Sequence, residues 1–158
     1  MTAHTPRLFP TSEAVRHVGE GLLACTLPRA GWTHEAHLAS CLWLARERPD
    51  ILLSRELPDI IRSYNASVGG VNSDTDGYHE TITQAYIRLI CDWLAQHDRD
   101  ESLVDLVNRL LNSPIGGRDM LLRHWSADRL FSTEARAHWL EPDIAPLSAG
   151  VQQPQRVS

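Results

Sequence analysis

Lysine is absent from this chain, and all 15 of its basic residues are arginine. A lysine amine is the working group of Schiff-base enzymes, Walker-type phosphate loops and Ser-Lys nucleophile pairs, so those classes are excluded. Cysteine is scarce and odd in number. Cys25, Cys41 and Cys91 lie in apolar segments without CxxC spacing, which predicts reduced, buried thiols. Runs of basic residues are missing, and the formal charge is -5. Nucleic acid and anionic membranes both need concentrated positive charge, so neither is expected as a partner. No apolar run approaches bilayer length, and Met1–Pro10 lacks the apolar stretch of a secretory signal, which makes a cytoplasmic location the expectation. Alternating strand-type runs and internal repeats are also missing.

What remains is helical periodicity. The 158 residues, 42% hydrophobic and 22% charged, suit one domain with a core of its own. Val15, Val18, Leu22 and Leu23 line one face of a helix from Ser12 to Leu27, which Pro28 stops. Thr33 is a good N-cap for a second helix, with Leu38, Leu42 and Ala45 on one stripe until Pro49. The segment Asp50–Tyr64 is apolar on one face but contains Pro58, so a kink or two short helices are expected there. Val68–Gly77 is rich in Gly, Asn, Ser and Asp and reads as a long loop delivering Asp76 as a helix cap. Tyr78–Gln96 is the most regular helix and the expected centre of the fold, followed by Glu101–Leu111 and shorter helices near Asp119–Arg123 and Ser132–Leu140. The expectation is an all-α, single-domain bundle of five to seven helices over residues 12–141. An extension over residues 1–11 precedes it, and a flexible tail over residues 142–158 follows.

Two helix starts carry the candidate chemistry. In Trp32-Thr33-His34-Glu35-Ala36-His37-Leu38, two imidazoles stand three residues apart, close enough on one face to share a ligand. At about 100° per residue, His34 points along the direction of Leu38, Cys41 and Ala45, the core side. His79 opens the fourth helix and shares a face with Thr83, Tyr86 and Ile90. If the two starts are adjacent, His34, His37 and His79 form a ligand set for a divalent metal such as zinc, iron, manganese or nickel. Glu80 or Glu35 would then be a further ligand or general base, and Tyr64, Asn65, Tyr78, Thr83 and Tyr86 would line the pocket. Metal-assisted hydrolysis or oxygen chemistry would follow, on an unidentified small molecule.

The competing reading treats the same residues as structural. Glutamates in first turns are what a helix dipole favours, and buried histidines bonded to backbone, Tyr64 or Asn65 need no metal. HEAH is not the HExxH zinc motif. A Cys41–His37 nucleophile pair is conceivable by spacing, but a mid-helix thiol on an apolar stripe is usually inert. On this reading the chain is a non-enzymatic bundle binding a small ligand or a protein, with the Val68–Gly77 loop as contact surface. A homodimer through an apolar helix face is compatible with both readings.

Four stretches together, Gly31–Leu38, Ile61–Asn65, Gly77–Thr83 and Leu130-Phe131-Ser132 through Trp139-Leu140-Glu141-Pro142-Asp143, resemble a family of small uncharacterised bacterial helical proteins. The likeness runs from about Gly31 to Leu147. It implies a bacterial source and a compact helical domain, and carries no activity with it.

Overall fold

The computed structural model describes residues 5–97 and 100–147. They form α1 (Ser12–Ala24), α2 (His34–Glu47), α3 (Leu53–Ser67), α4 (Glu80–His97), α5 (Leu103–Asn112), α6 (Ala127–Leu130) and α7 (Thr133–Ala137). Short 3-10 turns lie at Arg29–Gly31, Pro114–Gly116 and Met120–Arg123, and no strand occurs among the described residues. The all-helical, single-domain reading therefore holds.

Most helices begin as the local chemistry dictates. Thr11, Thr33, Ser102, Ser126 and Ser132 each cap a helix by accepting a backbone N–H two or three residues into it, which satisfies one of the orphan donors of the first turn. The first helix stops earlier than the position of Pro28 suggests. Cys25 adopts a left-handed φ of 58° and turns the chain so that the N–H groups of Thr26 and Leu27 both reach the Gly21 carbonyl.

Pro58 does not split α3, which runs unbroken from Leu53 to Ser67. A proline removes the N–H that would bond the carbonyl four residues back, here that of Ser54. In this fold the Gln84 amide of α4 supplies that bond, donating to the Ser54 carbonyl at 2.9 Å. The helix runs through because a neighbouring helix provides the missing donor.

α2 is the helix enclosed on all sides, which corrects the expectation that the fourth helix holds the centre. Every residue from Leu38 to Leu44 is buried, and α1, α4 and α5 pack around it. Gly19 makes the α1 contact this close, since a Cβ there would lie 2.2 Å from the Trp43 ring. α4 stands instead between two cores. One is the main cluster around Leu42, Ile90, Leu106 and Leu110. The other is a small cluster of Ala85, Leu121, Trp125 and Leu130 built by the C-terminal segment, and Tyr86 and Leu89 pack against both.

Both ends of the described chain are tied to this body. Asn108 holds Phe9 in a reciprocal pair, accepting from its N–H at 2.9 Å and donating to its carbonyl at 3.0 Å. The expected flexible tail does not begin at Pro142. Asp143 accepts both the N–H and the hydroxyl of Ser126 at 2.7 Å, and Ile144 donates to the His124 carbonyl at 2.8 Å. Residues 148–158 lie outside the described residues. Cys91 is exposed and Cys25 half-buried, so only Cys41 fits the expectation of a buried thiol. Among the described residues no helix is long and apolar enough to cross a membrane.

Candidate functional site

The first turn of α2, the second half of α3, the first turns of α4 and the 68–78 loop surround a cleft made of two abutting cavities. The outer one measures about 630 Å³ and the inner one about 310 Å³, and both are bordered by His37, Ile61, Ile82 and Thr83. Arg29 and Asp76 stand at the outer cavity. The inner chamber is mostly apolar, with Leu38, Leu57 and Tyr86 in its walls and, among the described residues, no Asp, Glu or Arg.

The loop wall is held open by hydrogen bonds that its composition permits. Asn72 acts as a hub, accepting from Asn65 Nδ2 and Tyr78 N at 3.1 Å each and donating to the Arg62 carbonyl at 3.0 Å. Gly77 has φ +82°, and a Cβ there would lie 2.2 Å from the Val71 carbonyl oxygen. Only glycine fits both the backbone angle and the space. Arg136 of α7 clamps the end of the loop, donating to the Gly77 carbonyl at 2.7 Å.

All three histidines border this cleft, but each ring is engaged by a backbone carbonyl. His34 Nε2 lies 3.0 Å from the Gly116 carbonyl, and His37 Nδ1 lies 2.7 Å from that of Thr33. For His79 both nitrogens are committed. Nε2–H donates to the Leu130 carbonyl at 2.8 Å, and the Nδ1 lone pair accepts the Ile82 N–H at 3.1 Å. His79 is thus the N-cap of α4, the place at which Asp76 was expected. Asp76 instead closes the loop on Ser73, whose N–H reaches the Asp76 carbonyl at 2.8 Å.

The convergence of His34, His37 and His79 on one ion is therefore not what the geometry supports. A ligating imidazole offers one lone pair, and that of His79 is already used. Among the described residues no group of three or more His, Cys, Asp or Glu is placed to hold a metal. The candidate bases also face elsewhere. Glu35 is buried against the N-terminal segment, accepting the Arg7 N–H at 3.3 Å. Glu80 accepts the Tyr78 hydroxyl at 2.6 Å and the Gln84 amide at 3.3 Å. Neither borders either cavity.

Tyr64, Asn65, Tyr78 and Thr83 border the outer cavity, and Thr83 and Tyr86 the inner one. Their phenols are held protonated. Burial raises Tyr64, whose hydroxyl donates to the Leu27 carbonyl at 2.9 Å. Burial, then the hydrogen bond to Glu80, raises Tyr78 well above its ordinary value. Tyr86 is pushed up to about 12 by burial and then by the Asp119 carboxylate. Cys41 borders the inner chamber together with His37, but burial raises its thiol far above the ordinary range. A thiolate nucleophile is disfavoured there.

His37 is the distinctive group. Its side chain is exposed, and it borders both cavities. Desolvation by the neighbouring walls lowers its pKa, the hydrogen bond to the Thr33 carbonyl opposes this, and His34 nearby lowers it further. A carbonyl can only accept, so Nδ1 carries the proton and Nε2 the lone pair. Nε2 accepts no hydrogen bond from any described residue.

The residue missed in the sequence is Trp32, which borders the outer cavity with its ring 3.8 Å from that of His37. It also meets Tyr64 edge-on at 5.4 Å. Its signal was positional. Trp32 precedes the Thr33 cap and His37 is the fourth helical residue, the two positions that pack together when a hydrophobic staple fixes a helix entry.

Compared with family models, curated proteins and solved structures, the chain matches none of them.

Proposed function

We propose that this chain is a helical small-ligand-binding domain, and that its ligand is an organic molecule held in the two-part cleft between α2, α3, α4 and the 68–78 loop. One observation carries the reading. Two cavities, one of mixed polar and apolar walls and one nearly apolar, adjoin at a neutral imidazole whose second nitrogen has no partner among the described residues. Concave, largely apolar sites with a few placed polar groups are where small molecules bind, and the combined size falls within the usual range.

The electrostatics favour binding over chemistry. A neutral imidazole, protonated phenols and a protonated thiol supply hydrogen bonds and packing, and the Asp76 carboxylate stands at the outer cavity, away from the inner chamber. On this reading His79 and Tyr64 are structural, tying helix starts and loop carbonyls together, and His37 faces the ligand.

A fragment screen read by amide and indole NMR shifts tests the proposal. Binders should shift the Trp32 indole N–H together with the amides of Ile61, Ile82 and Thr83. Shifts clustering away from these residues, or none across a chemically broad library, would remove it.

A further inference from the structure

We infer that the ligand is an uncharged molecule with a compact apolar body and one hydrogen-bond donor, the donor being read by His37 Nε2 and the body lying in the inner chamber. This rests on the ligand-binding reading above and names the class of molecule that reading leaves open.

The body follows from the chamber. At the ~30 Å³ that a water molecule occupies in the liquid, 310 Å³ has room for roughly ten non-hydrogen atoms. A substituted benzene ring is a body of that size. The walls of Leu38, Leu57, Ile61, Ile82 and Tyr86 offer such a body contact on several sides.

The donor follows from the tautomer. Because Thr33 takes the Nδ1 proton, the neutral ring presents only an acceptor at the junction of the cavities. The Trp32 ring packs against it at 3.8 Å with a 32° tilt and limits its rotation. A ligand O–H or N–H is matched there, whereas an ether or carbonyl oxygen in the same place meets lone pair with lone pair. The lowered pKa of His37 keeps the ring neutral and that acceptor available at neutral pH.

Neutrality follows from what the chamber wall lacks. Among the described residues no Asp, Glu or Arg borders the chamber, so an ionised ligand group there would lose water without gaining a carboxylate or guanidinium partner. Arg29 and Asp76 stand at the outer cavity, so a charged substituent is tolerated only at that end.

Three matched probes test this by calorimetry and NMR on the full chain: 4-ethylphenol, 4-ethylanisole and 4-ethylbenzoate. The phenol should bind about tenfold or more tightly than the anisole, in which a methyl group replaces the donor proton, and the benzoate should bind more weakly than the phenol. In His37→Phe, which retains a ring against Trp32, the preference for phenol over anisole should vanish. Folding of the variant is checked by its thermal midpoint, and the probe comparison in the unmodified protein needs no variant at all. Equal affinity for phenol and anisole overturns the donor assignment while leaving cleft occupancy standing. Tightest binding by the benzoate overturns neutrality, and a preference that survives His37→Phe overturns the role of His37. Failure of all three probes to shift Ile61, Ile82 and Thr83 overturns this inference, and the ligand-binding reading then falls only if the wider fragment screen is silent too.

Discussion

Replacing His79 separates a structural histidine from a ligand more sharply than any other change in this molecule. Its ring is buried and makes two hydrogen bonds, one capping α4 and one crossing to the Leu130 carbonyl at the end of α6. Loss of an N-cap costs about 1 kcal/mol. Leaving the Leu130 carbonyl without its partner costs about 1–3 kcal/mol more, so His79→Ala should lose about 2–4 kcal/mol in urea unfolding. His79→Asn keeps a competent cap but is too short to reach Leu130, and should lose roughly 1–3 kcal/mol, less than the alanine variant. Acid adds a second reading. Burial holds native His79 below the ordinary imidazole pKa, with the Leu130 carbonyl opposing and Arg136 assisting. As pH falls through about 6.5, the unfolded chain takes up this proton before the native protein does. The contribution of His79 is therefore complete above about 6.5 and is lost as pH falls from there toward the lowered native value. The stability gap between the unmodified protein and His79→Asn should shrink on acidification. An alanine variant within about 0.5 kcal/mol of the parent, or a gap that widens in acid, would refute the capping account.

Three further outcomes follow from the geometry. Gly19→Ala should destabilise by about 1–3 kcal/mol in the same assay, because the new Cβ meets the Trp43 ring at 2.2 Å. Helix propensity alone predicts a gain of about 1 kcal/mol, so the sign decides between packing and propensity. Tyr64→Phe should lose about 1–2 kcal/mol by stranding the buried Leu27 carbonyl, and no loss would mean that another donor takes its place. On protein without a histidine tag, the thermal midpoint should be the same in excess EDTA and in added zinc, since the His79 nitrogens are committed to backbone groups. A zinc-dependent rise would instead bring the metal reading back, because a ligand of the native state alone must stabilise it.

The helices were legible in the sequence because their causes are local. Thr33 before HEAHL and Ser132 before TEARA are caps by type and place, and the apolar spacing of α5 needs no neighbour to be read. The failures lie where a remote group supplies a hydrogen bond. Pro58 looks like a break until Gln84 reaches Ser54 from 30 residues away. Pro142 looks like the start of a loose tail until Asp143 takes two bonds from Ser126. Asp76 has the composition of a cap, yet His79 does the capping and the aspartate closes the loop on Ser73.

The candidate site divides in the same way. Period and helix-start position alone placed His34 and His79 on inward faces, with His37 at the edge of the stripe. The Thr33 carbonyl that claims His37 Nδ1 is local, but which backbone carbonyls claim the rings of His34 and His79 was decided only by tertiary structure. The carbonyls of Gly116 and Leu130 arrive from 82 and 51 residues away. Periodicity sets the direction of a side chain because it is a property of one helix. The partner of a lone pair depends on which distant backbone groups are brought within 3 Å, and no local pattern encodes that.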